Sequence, residues 1–323
     1  MRRERIPAAR WSRSLCQAGL ESLSMAQAWV FQKAAGRCLS SLILAAMFAA
    51  PSQAQTTPKA RVSPAPRQII LPPIIVAGAQ ATLAVLDSQG RLLPNVPVEL
   101  SGGQKLTTDG TGRAYFIATD MPGTMTAKIS GRAIFAASTV LVSQNPSGPP
   151  ASSDPPEVGK VTSYPHVLSL RDRFTLAGSG FRGAADSNRV TLNGDPCLVL
   201  ASSPISIVAL PGPRVPVGDV KLAVSVAGVD AGQFPVSAVI LEFSGPAEAA
   251  NAGSTGNLIV RALGSTAPLV LEVRNGSPSV VQLEKGNVQR LKTSGGDENI
   301  ATLEVKFVTG GNFSVSARLL SAW

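Results

Sequence analysis

Residues Thr175–Asp186 read TLAGSGFRGAAD, and the assignment of this stretch decides the fold of the whole chain. Gly178, Gly180 and Gly183 have the G-x-G-x-x-G spacing of a dinucleotide-binding loop, and an apolar run ending in Leu176 leads into them as a strand would. Such a loop works only if the last glycines open a helix whose N-terminus faces a pyrophosphate. After Gly183 only AADSNR separates the glycines from the β-rich VTLNG, and six residues cannot form the crossover helix of a βαβ unit. The nucleotide reading therefore fails. The alternative is structural: Gly178 and Gly180 release a strand from its pleat, and Phe181 turns inward to plug a core. On this reading Gly183 completes the spacing by chance.

The rest of the chain agrees with strands. Hydrophobic residues make up 44% of the 323 positions and charged residues 15%, which excludes wholesale disorder. Aromatics are scarce at 5%, while 30 Gly and 25 Pro supply many turns. Outside the N-terminal region no long stretch keeps a helical apolar period.

The N-terminal region has another character. Lys33 and Arg37 precede the apolar run Leu39–Ala50, and Ser52 and Ala54 stand where a signal peptidase reads small residues. That order describes a secretory signal peptide cleaved after Ala54. Its apolar core falls short of the roughly 20 residues that span a bilayer. Cys38 precedes that core instead of following it, which argues against a lipid anchor. A start at Met25 makes a leader of ordinary length, so residues 1–54 are expected to be leader with translation beginning at Met25. They hold seven basic residues against Glu4 and Glu21, a net of +5, leaving +4 of the chain's +9. Without a basic cluster in the remainder, a nucleic-acid partner is not expected. Cys16 and Cys38 leave with the leader, and Cys197 alone cannot form an intramolecular disulfide.

Composition then divides the chain. Residues 55–73 form a Pro-rich linker ending in an edge strand, and residues 144–157, QNPSGPPASSDPPE, form a second linker with five prolines. A weaker division lies near Phe243–Gly256. Residues 74–143, 158–241 and 242–323 are thus expected to be separate domains. In the first, ATLAVLD, VPVEL, GRAYFIAT, TMTAKIS and STVLVS alternate between Gly, Asp, Asn and Pro turns. In the third, NLIVRAL, PLVLEVRN, SVVQLEKG, ATLEVKFV and NFSVSARLL do the same.

In the middle unit VTSYPHVLSLRDRFTLAGSGF is followed by NRVTLNGDPCLVL, PISIVALPGPRVPVG and DVKLAVSVAGVDAGQFPV, a series that resembles the IPT/TIG family of immunoglobulin-like domains. Gly178–Phe181 match a strand ending in G-x-G-F, and Val190–Gly194 match the V-x-L-N-G hairpin. Ile207–Pro211 and Gly218–Val226 match the two strands that follow, so that the resemblance covers Glu157–Leu241. The first unit resembles bacterial Ig-like domains of the invasin or carboxypeptidase-regulatory kind through LDSQGRLLPNVPVELSG and LTTDGTGRAYFIA. The third, with EVRNGSPSVVQLEKG and GGNFSVSARL, is distantly Ig-like. Together these imply an all-β chain of three tandem immunoglobulin-like β-sandwiches after a signal peptide.

Candidate chemistry is thin. His166 is the only histidine, and no G-x-S-x-G elbow accompanies it, so a hydrolase triad has no footing. One His and one Cys do not make a zinc site. Asp109, Asp120, Asp297 and Glu298 sit in turn-like sequence without the alternating acids of a calcium loop. Cys197 reads as a small buried apolar residue. Beyond the leader the aromatic platforms available to a sugar are Trp323, Tyr115 and Tyr164. The terminal NFSVSARLLSAW ends on an aromatic as outer-membrane barrel strands do, but nothing upstream resembles lipid-facing strands, and a last sandwich strand is the simpler account. No catalytic, cofactor-binding or metal residue is expected, and no membrane span remains after cleavage. The expected role is a non-catalytic exported spacer, adhesion or scaffolding protein in the periplasm, at the cell surface or outside the cell. Its protein or cell-surface partners would meet it at loops or edge strands. The alternative is a polysaccharide-binding accessory protein with a glycan ligand; TIG-like domains also accompany secreted carbohydrate-active enzymes.

Overall fold

Alternating strands punctuated by Gly and Pro fold here into paired antiparallel sheets. The computed structural model describes residues 65–142, 158–245 and 251–320. The leader, the Met25 start, the linker at 144–157 and Trp323 lie outside the described residues.

The first sandwich contains β1 (Pro66–Ile70), β2 (Ile74–Val76), β3 (Gln80–Asp87), β4 (Pro97–Leu100), β5 (Lys105–Thr107), β6 (Arg113–Ile117), β7 (Gly123–Ile129) and β8 (Phe135–Leu141). One sheet runs β1-β3-β6 and the other β5-β4-β7-β8-β2, the last pair parallel. The chain crosses from one sheet to the other between β1 and β2 at Pro72–Pro73, where two residues without N–H groups end the ladder. Ile69 and Leu71 are buried in the first core with Ile75, Leu83, Phe116 and Met125. The segment placed by composition in the 55–73 linker thus supplies the first core strand.

The middle sandwich repeats this plan. It contains β9 (Lys160–Ser163), β10 (Val167–Ser169), β11 (Phe174–Ser179), β12 (Asn188–Leu192), β13 (Asp195–Pro196), β14 (Leu198–Ser203), β15 (Ser206–Leu210), β16 (Gly218–Val226) and β17 (Val229–Ser244). Its sheets are β9-β11-β15-β14 and β13-β12-β16-β17-β10, again closed by one parallel pair. Pro165 and His166 occupy the crossing between β9 and β10. Leu176, Phe181, Leu192, Ile207 and Leu222 lie in its core.

The third sandwich begins inside β17. Ile240–Ser244 pair with β18 (Thr255–Leu263), beyond the division placed at residue 241. β19 (Val270–Asn275), β20 (Val281–Leu283), β21 (Val288–Lys292), β22 (Ile300–Phe307) and β23 (Val315–Leu319) follow. One sheet runs β17-β18-β22-β20 and the other β21-β19-β23. The strands expected from alternation are present, and the short β2, β5 and β21 add to them.

The described residues all belong to one compact unit, Arg61–Trp323. A shared sheet connects the first and middle sandwiches through Thr82 on β3 and Ser202 on β14. Ile70, Ala84, Leu86, Leu200, Ala201 and Val208 bury an apolar cluster at the same place. β17, by contrast, is common to the middle and third sandwiches.

Candidate functional site

The three glycines of the opening stretch act separately. At Gly178 the pairing of β11 with β9 shifts register, and a Cβ would strike the Lys160 carbonyl and the Phe181 ring. Gly180 has φ +68°, a left-handed conformation that glycine adopts without steric cost. Phe181 is 3% exposed and fills the middle core, as the inward plug requires. Gly183 corrects the expectation of a chance spacing. A Cβ there would run into the carbonyl of Gln80 in the first sandwich. The Gly183 carbonyl also accepts hydrogen bonds from Thr82 Oγ1 at 2.5 Å and Ser202 Oγ at 2.8 Å. Gly183 therefore allows the two sandwiches to touch backbone to backbone.

Arg113 completes this clasp. It leaves the first sandwich from the start of β6 and is buried against the second. Its Nε and one terminal nitrogen donate to the Val199 carbonyl at 3.0 and 2.7 Å, and the other pairs with Asp186 at 3.0 Å. The hydroxyls of Ser203 and Ser206 donate to the Ile74 carbonyl at 2.8 and 2.9 Å. Every polar group placed in the junction by these residues finds a partner, which buried polar groups need.

The histidine, cysteine and acids singled out in the sequence do not gather into one site. Among the described residues no three His, Cys, Asp or Glu side chains cluster as a metal site would require. His166 is exposed and packs its ring edge-on to Tyr164 at 4.9 Å. Tyr164 in turn leans on Phe234 at 4.6 Å, so it is part of the wall of the middle sandwich. Cys197 is buried, and desolvation pushes its thiol up to about 11, against a lowering by the Gly212 backbone contact. Such a thiol is a poor nucleophile near neutral pH. Asp109 accepts from the Thr111 N–H and hydroxyl and from the Arg113 N–H, closing the turn before β6. Asp297 and Glu298 lie exposed in the turn before β22.

The concave feature of interest lies where the three sandwiches meet. A cleft of about 640 Å³ is bounded by Gln68 and Leu86 of the first sandwich, Arg171 and Arg173 of the middle one and Arg318 of the third. A tight turn between β10 and β11, closed by Asp172 N–H donating to the Ser169 carbonyl at 3.3 Å, presents Arg171, Asp172 and Arg173 together. Arg318 is held by Glu272 at 2.8 Å, a carboxylate it shares with Arg274 at 2.7 Å. Those two arginines hold the Glu272 carboxyl below its usual range. Arg171 and Arg173 make no ion pair among the described residues. Desolvation holds the Arg173 guanidinium below its usual range; Asp172 opposes this and Arg318 adds to it. A second groove of about 370 Å³ lies along β1 and shares Gln68 and Arg173 with the cleft. None of these arginines stood out in the sequence, where each is an ordinary surface charge.

The family model for the IPT/TIG domain matches residues 159–239. No curated protein matches the chain. Among solved structures the chain is similar to surface layer protein SbsC, domains 1–6, at 12% identity and a TM-score of 0.19, over 80% of this chain and 39% of that one. It is similar to SGBP-B of the Bacteroides ovatus mixed-linkage glucan utilization locus, in complex with a mixed-linkage heptasaccharide, at 13% identity and a TM-score of 0.20, over 78% and 60% of the two chains. It is also similar to the full extracellular region of plexin A4 at 9% identity and a TM-score of 0.30, over 80% and 32%. The chain spans less than two thirds of the length of each of these proteins. Among the described residues no helix is long and apolar enough to cross a membrane. With the glycine strand end and the plugged core inside the matched range, the middle sandwich is an IPT/TIG domain, set between two further β-sandwiches.

Proposed function

We propose that the chain is a non-catalytic, exported binding and scaffolding protein that holds a protein or cell-surface partner on a rigid array of three sandwiches. The carrying observation is the fusion itself: a clasp at Gly183 and Arg113 and a strand shared through β17 fix the three units around one cleft. A spacer that only kept distance would need neither the clasp nor a concavity whose Arg171 and Arg173 pair with no acid among the described residues. The signal-peptide pattern ending at Ala54 supports export. The division into residues 74–143, 158–241 and 242–323, with its two Pro-rich linkers, belongs to the same proposal as a description of sequence units. Glycan remains the alternative ligand class and is separated by the test.

The test takes the chain from Gln55 onward, fluorescently labelled, and titrates it onto intact cells and onto purified envelope polysaccharide and envelope protein. Saturable binding to cells that protease treatment of the cells abolishes is the expected result. Binding to the polysaccharide fraction alone turns the reading to the glycan alternative. Turnover in a hydrolase screen, or no binding to any fraction, overturns it.

A further inference from the structure

We propose that the groove along β1, opening into the arginine cleft, receives an extended acidic peptide segment of a partner protein, added to the free edge of β1. The inference rests on the binding role above and names its ligand class.

The groove is built from strand edges. β1 lies at the end of its sheet and pairs only with β3 among the described residues. Gln68, Ile69, Ile70 and Leu71 all line the same groove. Side chains of a strand alternate between faces, so a wall made of consecutive residues marks the strand's edge. The facing wall is again consecutive: Phe135, Ala136 and Ala137 at the start of β8. These three precede Thr139–Leu141, the part of β8 that β2 covers. Because the chain crosses sheets at Pro72–Pro73, β2 pairs only with Thr139–Leu141 of β8, and the start of β8 lines the groove with β1. Phe135 stands at the groove 67% exposed and offers an apolar surface there.

Arg173 lines both this groove and the larger cleft. Among the described residues the charged side chains lining the two are Arg171, Asp172, Arg173 and Arg318, and Glu272 already engages Arg318. Two guanidiniums against one carboxylate favour an acidic ligand, which a guanidinium fork holds in bidentate fashion. No aromatic ring lines the larger cleft, and a sugar acid would not pair with a strand edge. An extended peptide does both: its backbone joins the ladder, and its side chains alternate between the apolar wall and the arginines.

The experiment measures fluorescence anisotropy with the chain from Gln55 onward and three probes: a labelled Val-Glu alternating decapeptide, its Val-Lys counterpart, and the Val-Glu peptide N-methylated at alternate residues. The expected result is binding of the first probe only, weakened about tenfold or more in the Arg171→Ala, Arg173→Ala double variant. Retained protection of Cys197 from alkylation reports that this variant is folded. Equal binding of the Val-Lys peptide, indifference to N-methylation, or no loss in the folded variant overturns the inference. Binding of labelled polygalacturonate without binding of any of the peptides also overturns it in favour of an acidic glycan. Cell binding that persists in the double variant while peptide binding is lost leaves the broader function standing and separates this groove from it; cell binding lost by the wild-type chain is failure of that broader reading.

Discussion

The two junctions of this molecule solve one problem in different ways. The first and middle sandwiches meet at the single strand contact Thr82–Ser202, secured by side chains and backbone far apart in sequence. The middle and third sandwiches meet in the backbone of β17, whose sixteen residues pair with β16 on one stretch and with β18 on the next. A clasp can be undone by one substitution while both sandwiches keep their cores. A shared strand cannot release one sandwich without disturbing the other. The difference predicts where the molecule should unfold in separate steps and where it should not.

The largest effect is expected at Gly183. Gly183→Val places branched carbon against the Gln80 carbonyl, so the junction must open or the backbone must shift, at a cost of about 3 kcal/mol. Calorimetry should then show the first sandwich melting ahead of the rest. A single cooperative transition in this variant would break the distinction between clasp and shared strand. At the other junction, Leu241→Ala empties part of the cluster containing Val239, Val260 and Leu271 and should cost about 2 kcal/mol. Here the middle and third sandwiches should lose stability together, and an independent early transition of the third would contradict the role given to β17.

A smaller effect is expected at Arg113. Arg113→Met keeps most of the buried stem but leaves the Val199 carbonyl without its two donors, which should cost about 1 to 2 kcal/mol in chemical unfolding. Asp186→Asn should cost less than about 0.5 kcal/mol, because that carboxylate is 70% exposed and its ion pair is screened by water. An equal loss in both variants would mean that the ion pair, and not the carbonyl contact, secures the clasp.

The sequence made local causes visible and concealed distant ones. Gly178 and Phe181 were readable because the strand end and the plug lie within four residues and need no knowledge of the partner. Gly183 was not, since the hydrogen bond it accepts comes from Thr82, 101 residues earlier. For β17 the alternation of VSAVILEF runs on to Ser244, whereas the composition changes only afterwards, so a boundary taken from composition lands beside a strand that two sandwiches share. β1 was readable as an edge strand but not as part of the core, because proline on both sides gives Pro66–Pro73 the composition of a linker. The arginine cleft required the turn at Arg171–Arg173 and the end of β23 to converge, and no local pattern encodes that meeting.

The smallest effect concerns pH and sets the two flanks of the cleft against each other. Asp87 closes the hairpin after β3: its carboxylate accepts from the backbone N–H of Arg91 at 2.9 Å and Gln89 at 2.7 Å, and from Arg91 Nε at 2.9 Å. The Arg91 backbone hydrogen bond is the main cause that holds its carboxyl below the usual range; burial opposes it, and the side-chain and charge contacts of Arg91 add to it. A carboxyl lowered in the folded state stabilises the fold fully above its unfolded value, about 3.9 for aspartate, and that contribution disappears as pH falls through the folded value. Glu272 on the far flank is lowered by Arg274 and Arg318 and obeys the same sign. Melting followed between about pH 5 and 2.5 should therefore fall with acid on both flanks. Asp87→Asn should flatten the fall for the first sandwich, and Glu272→Gln for the third. Because Asp87 belongs to the clasped unit, its acid loss should appear as an earlier first transition, whereas the loss at Glu272 should move the joint transition of the middle and third sandwiches. Asp87→Asn shifting that joint transition instead would mean that the clasp couples the sandwiches as tightly as the shared strand does.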